Sequence, residues 1–296
     1  MEHGSETIGQ KFISDHLQNF NSSVKDLRYW GKYHSRASIR ENIIDSSKAI
    51  DTLMVGDSNL RHYLDFFVKK LNFKYIDLDG SLNYGPNVLA AYKISYNKEY
   101  SCLYSNFIKA MDSLKSTNSA KVIIANRWQL YDYDGYNQFS DSKLIVSPKH
   151  QNDVIGGILS DFELILTKFP KYKYYIISAG FDPSVSDLSP IVDSYYLGYI
   201  YTYIKKIREI LGLKVKETFK PTNQAVVDII NARLIHFADI HENVYYIDRN
   251  IPICDNKDLC SLVIHGKPLF TDPHHLSIYG GELVGKYIIE KLNGDG

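Results

Sequence analysis

From residue 51 onward the chain alternates short apolar runs with stretches of three- and four-residue periodicity, and this alternation confines the fold more than any other feature. Thr52-Leu53-Met54-Val55 has the length of a buried strand and is stopped by Gly56. Leu60, Tyr63, Leu64, Phe67, Val68 and Leu71 then recur at the steps of an amphipathic helix. Residues 73–78 predict a second strand, 121–125 a third, 172–178 a fourth and 244–248 a fifth. Helices are predicted around 103–114 and over 154–169, 192–211 and 224–240. A last helix is marked by Leu276, Tyr279, Leu283, Tyr287, Ile288 and Leu292. Strands alternating with helices imply a parallel sheet covered on both faces. Right-handed crossovers then favour a three-layer α/β/α sandwich on a five-stranded parallel sheet, flavodoxin-like in topology.

Residues 1–50 lack this pattern. They are rich in Ser, Asn, Lys and Arg and read as an extension or linker, helical around 38–48, ahead of a main domain over 51–296. Met1-Glu2-His3-Gly4-Ser5 reads as a cloning scar, so the chain is expected to be a piece of something longer. No apolar stretch approaches the roughly 20 residues of a membrane helix, and no signal peptide is evident. The formal net charge is zero, which gives no argument for bulk attraction to nucleic acid or acidic lipid. Tyrosine is abundant, at 24 residues; most are expected half-buried, and a minority could line a sugar-binding surface.

The three cysteines are Cys102, Cys254 and Cys260. Cys254 and Cys260 stand six apart in the polar stretch 252–262, where a disulfide is easily closed and two reduced thiols are the alternative. No second pair of ligands at metal-type spacing accompanies them, so neither metal nor cofactor is expected.

In a parallel sheet, ligands bind beyond the carboxyl ends of the strands. That rule selects Gly56-Asp57-Ser58-Asn59, Asn126-Arg127-Trp128 and the residues from Gly180. Thr271-Asp272-Pro273-His274-His275-Leu276-Ser277 joins them just before the last helix. Ser58 opens a helix, where free N–H groups and the positive dipole end suit a nucleophile whose attack creates an oxyanion. The plainer reading of Ser58 is a helix N-cap. A serine hydroxyl needs a base, and His275 is the candidate, with Asp272 three residues earlier to orient it. His274 is expected to point elsewhere, and Trp128 fits the core better than a sugar platform.

These residues resemble the SGNH (GDSL-like) hydrolase superfamily, whose first block is Gly-Asp-Ser and whose last is Asp-x-x-His. More narrowly, three stretches resemble the periplasmic SGNH domain fused to acyltransferase-3 membrane proteins, which O-acetylate bacterial surface polysaccharides: 53–58, 122–128, and 254–260 leading to 266–277. The likeness spans about residues 51–292. It implies Ser58 as nucleophile, His275 as general base, Asp272 as its partner, and a structural disulfide between Cys254 and Cys260. It implies an oxyanion hole from the N–H of Ser58, the N–H of Gly80 (preferred to Gly85) and the side chain of Asn126. The family's usual third block, Gly-x-Asn-Asp, is absent, and Asn126-Arg127-Trp128 stands in its place. Arg127 is therefore the rival to Asn126, or a substrate-binding residue.

The function implied is O-acetyl transfer to a hydroxyl of a surface polysaccharide such as O-antigen. Its setting would be the periplasmic domain of a bacterial inner-membrane protein, with a fused N-terminal membrane acyltransferase domain, an acetyl donor and a polysaccharide acceptor as partners. A stand-alone carbohydrate acetyl esterase with the same triad is the alternative. A non-catalytic glycan-binding module with a relic triad is the third.

Overall fold

The computed structural model describes residues 39–77, 107–114, 120–131, 154–184, 186–187, 210, 217–256, 258–265 and 267–294. In chain order its main elements are β1 (Ile39–Asn42), β2 (Thr52–Gly56), α1 (Ser58–Phe67), β3 (Phe73–Asp77) and β4 (Lys121–Ala125). Then come α2 (Val154–Lys168), β5 (Lys173–Ile177), β6 (Thr218–Phe219), α3 (Gln224–Asp239) and β7 (Val244–Ile247). Six short strands follow, β8 (Cys254–Asn256), β9 (Leu259–Ser261), β10 (Val263–Ile264), β11 (Lys267–Pro268), β12 (Phe270–Asp272) and β13 (His275–Leu276), before α4 (Ile278–Asn293).

The main sheet runs β1-β3-β2-β4-β5-β7. Its five central and distal strands β3, β2, β4, β5 and β7 are parallel, and they are the five apolar runs that the sequence marks. The chain leaves β2 toward β3 on one side and advances through β4, β5 and β7 on the other. With right-handed crossovers, α1 therefore covers one face while α2 and α3 cover the other. Contacts agree: α1 packs chiefly on α4, and Phe162 of α2 stacks on Phe237 of α3 at 5.3 Å. The inner strands are buried on both faces, which is why they read as unbroken apolar runs rather than alternating ones.

The order of strands reverses between β2 and β4, and the crevice above that switch point is formed by their outgoing loops. Register sets Gly56 opposite Ala125, so Asp57 and Asn126 leave the sheet side by side. A side chain at Gly56 would meet the Ala125 carbonyl oxygen at 2.1 Å, which is why the strand can end there only on glycine.

One expectation is corrected. The sequence places residues 39–50 in a partly helical extension, whereas Ile39–Asn42 is an edge strand antiparallel to β3. Polar bonds rather than an apolar stripe hold the following residues to the sheet. Asn42 Nδ2 donates to the carbonyls of Val68 and Leu71, and the Asn72 amide bonds the backbone of Ile44, Asp45 and Lys48.

The short strands after β7 make three small antiparallel units, and Cys254 and Cys260 are joined by a disulfide with an S–S distance of 2.04 Å. Ser277 caps α4 by accepting from Gly280 N–H and donates its hydroxyl to the Pro268 carbonyl, tying the helix to β11, just ahead of the strand bearing Asp272. Among the described residues, no helix is long and apolar enough to cross a membrane. Of the expected helix at 192–211 only residue 210 is among the described residues, and 103–106 lie outside them, while residues 107–113 are helical as expected.

Candidate active site

Asp57 is the N-cap of α1, and its buried carboxylate has two duties. Oδ1 accepts the Asn59 N–H at 2.8 Å, and Oδ2 accepts the Arg127 N–H at 2.7 Å. The first bond satisfies an orphan donor of the helix start, and the second fastens that start to the loop leaving β4. Ser58 is thereby held, half-buried, just past the carboxyl end of β2.

The strand-turn-strand from β12 to β13 brings the other two side chains to it. Asp272 and His275 are cross-strand partners, with Pro273 and His274 at the turn. Asp272 Oδ2 and Oδ1 lie 2.7 and 2.9 Å from His275 Nδ1, and Oδ1 also accepts the His274 N–H at 2.9 Å. His275 Nε2 lies 3.3 Å from Ser58 Oγ. Serine, imidazole and carboxylate are in series, although 217 positions separate the first two. A carboxylate on Nδ1 favours the tautomer with the proton there, which leaves the Nε2 lone pair toward the hydroxyl. Burial works to raise the Asp272 pKa, but the hydrogen bond and charge of His275 and the His274 N–H outweigh it, and the carboxyl is held below its ordinary value.

Residues that the sequence does not single out stand around this series. His62, one turn beyond Ser58 on α1, sets its ring edge-on to His275 at 5.5 Å. Burial first, then the charges of Arg249, His275 and Arg61, hold its pKa well below 6.5, so it is neutral at neutral pH. His274 Nδ1 pairs with Asp182 Oδ2 at 3.0 Å, away from Ser58, as its adjacency to His275 leads one to expect. That second pair ties the 272–275 turn to the segment after β5. The same segment is fixed by Asn223 and Asn250, whose amide oxygens accept the N–H groups of Asp182 and Phe181.

Asn126 is 1% exposed, and neither its Oδ1 nor its Nδ2 has a partner among the described residues. Arg127 is half-buried at the same rim, its backbone held by Asp57. Trp128 is fully buried and donates its indole N–H to the Ile177 carbonyl at 2.8 Å, which makes it core. Gly80 and Gly85 lie outside the described residues. Among the described residues, no group of three or more His, Cys, Asp or Glu is arranged to hold a metal ion.

Comparison with known proteins identifies the family. No curated protein sequence matches the chain. The solved periplasmic domain of a lipopolysaccharide acetyltransferase from Salmonella ser. Paratyphi A matches with a TM-score of 0.50 at 12% identity, over 82% of this chain and 84% of that one. A Streptococcus pneumonia protein provisionally called a platelet activating factor matches with a TM-score of 0.42 at 11% identity, over 97% and 100%. The first likeness shows a shared fold. A family model described as "SGNH domain (fused to AT3 domains)" matches residues 28–290, so the chain belongs to the SGNH domain family that occurs fused to AT3 domains.

Proposed function

We propose that this domain transfers an acyl group, most simply acetyl, from a donor to a sugar hydroxyl of a bacterial surface polysaccharide such as O-antigen, by double displacement through Ser58. One observation carries the reading: Ser58 Oγ, His275 Nε2 and the Asp272 carboxylate stand in hydrogen-bonding series at 3.3 and 2.7 Å. Ser58 Oγ attacks the donor carbonyl while His275 Nε2 takes its proton. The tetrahedral oxyanion is stabilised by the N–H groups of Ser58 and Gly80 and by the Asn126 amide. Collapse expels the donor's leaving group, which receives the proton from His275, and acetyl-Ser58 remains. A sugar hydroxyl then attacks it, His275 again accepting the proton, and Ser58 is restored. Asp272 orients the imidazole and stabilises its charged form throughout. Arg127, at the same rim, is assigned to substrate contact.

Membership of a family fused to AT3 domains supports a fused membrane acyltransferase domain as the acetyl source. It supports a periplasmic setting as well, and the lipopolysaccharide acetyltransferase with the same fold points to the same acceptor class.

Hydrolysis of a chromogenic acetyl ester by wild type and Ser58→Ala tests the chemistry, and release against transfer to an added oligosaccharide tests the acceptor. Turnover abolished in Ser58→Ala and acetyl found on the sugar are expected. Unchanged turnover in a folded Ser58→Ala contradicts the triad. Release to water alone, at every sugar concentration, makes the domain an esterase.

A further inference from the structure

Arg249 is 5% exposed, follows the end of β7, and points back across the sheet toward α1. Its Nη1 donates to Asn59 Oδ1, its guanidinium lies 5.9 Å from the Tyr63 ring centre, and its Nε has no hydrogen-bond partner among the described residues. No carboxylate pairs with it among the described residues, so a cation is desolvated against a neutral amide and a ring. Such a group is expensive to bury, and its neighbours show that room is made for it. Gly180, just past β5, is the clearest case. A Cβ there would stand 2.9 Å from the guanidinium carbon, so any larger residue would displace it.

The acceptor of that bond lies next to the nucleophile. Asn59 is 4% exposed and directly follows Ser58; with Oδ1 engaged by Arg249, its Nδ2 is buried with no acceptor among the described residues. The Asn126 amide, beside Asp57 by register, has none either. Among the described residues, a cation with no carboxylate hydrogen-bonded to it and two donor amides without acceptors thus gather around one serine, while the buried Asp57 carboxylate beside them is engaged by the N–H groups of Asn59 and Arg127. What the two amides lack is an oxygen to accept from them, and the step that supplies an anionic one is attack by Ser58.

We propose that Arg249 is a positioning residue for the acyl transfer: it fixes the Asn59 amide and holds a buried positive charge against the residue that follows Ser58, which stabilises the oxyanion formed on attack. The inference rests on Ser58 being the nucleophile. It predicts an effect on kcat rather than on ground-state binding, because the charge it answers exists only in the transition state.

The test uses acetyl ester hydrolysis by wild type, Ser58→Ala, Arg249→Met, Arg249→Lys and Asn59→Asp, each with a thermal melt. Arg249→Met is expected to lower kcat about 10- to 100-fold with KM changed less than about threefold, and Arg249→Lys to recover part of the loss. Asn59→Asp separates this role from a structural one. It gives the buried cation a carboxylate partner, so melting is expected at or above the wild-type temperature while kcat falls at least about tenfold. Wild-type kcat in either Arg249→Met or Asn59→Asp overturns the proposal, as does a kcat loss in Arg249→Met that Arg249→Lys does not relieve. Absence of turnover in wild type, or its persistence in Ser58→Ala, instead overturns the reading of Ser58.

Discussion

The carboxylate of Asp57 accepts the backbone N–H of Arg127 at 2.7 Å while it caps α1 through Asn59. One side chain thus locks the turn carrying Ser58 to the loop carrying Asn126, from neighbouring parallel strands whose ends are in register. The aspartate of the Gly-Asp-Ser block is here a structural clamp on the Ser58 turn, and stands apart from the Ser58–His275–Asp272 hydrogen-bonding series.

Asp57→Ala is accordingly expected to destabilise the fold by about 2–3 kcal/mol, since two N–H groups lose a buried acceptor. It should also lower kcat in the fraction that remains folded. Denaturant titration with steady-state kinetics checks both, and a variant as stable as wild type would contradict the clamp.

The proton affinity of Asp272 gives a pH signature. Its pKa is held below 3.8, so the folded state ionises it more readily than the unfolded chain does. The stability it contributes is present above that unfolded value and is lost as pH falls through the folded one. Melting temperatures measured from about pH 6 down to about pH 2 should fall more steeply for wild type than for Asp272→Asn. Parallel curves would contradict the assignment.

His274 and Asp182 form a pair that is 39% and 15% exposed, so its removal should cost less than about 1 kcal/mol of stability. Its expected effect is on geometry: His274→Ala should lower kcat/KM by about tenfold by loosening the turn that aims His275. Kinetics unchanged beside an unchanged melt would show the pair to be ornamental.

Cys254 and Cys260 close a loop of six positions across the β8–β9 hairpin. For so short a loop the chain-entropy argument gives about 2 kcal/mol, so the double Cys→Ser variant should lose roughly that much and become insensitive to reductant. Urea titrations of both proteins with and without dithiothreitol read the difference directly.

Much of this was legible in the sequence because burial on both faces leaves an unmistakable apolar run. The parallel strands are of that kind, helices α1 to α4 show instead the three- and four-residue period of one buried face, and the rule that ligands gather at strand ends led to Ser58, Asn126 and the 271–277 turn. What was illegible lacks such a signal. Ile39-Arg40-Glu41-Asn42 is an edge strand with one paired side, recruited by β3 and fastened by Asn42 and Asn72 rather than by periodicity. Strands β8 to β13 are two or three residues long, too short for any period to register. Asp182, Asn59 and Arg249 are single polar residues whose meaning lies in partners 92 and 190 positions away. His62 had a signal that could have been used: it stands four residues after Ser58, on the same face of one helix.

Labelling with an organofluorophosphonate, followed by peptide mass spectrometry, tests the central claim most directly. The label should sit on Ser58, vanish in Ser58→Ala, and form at least about a thousandfold more slowly in His275→Ala, since the hydroxyl then has no base. No adduct on Ser58, or equal rates with and without the His275 imidazole, would contradict it.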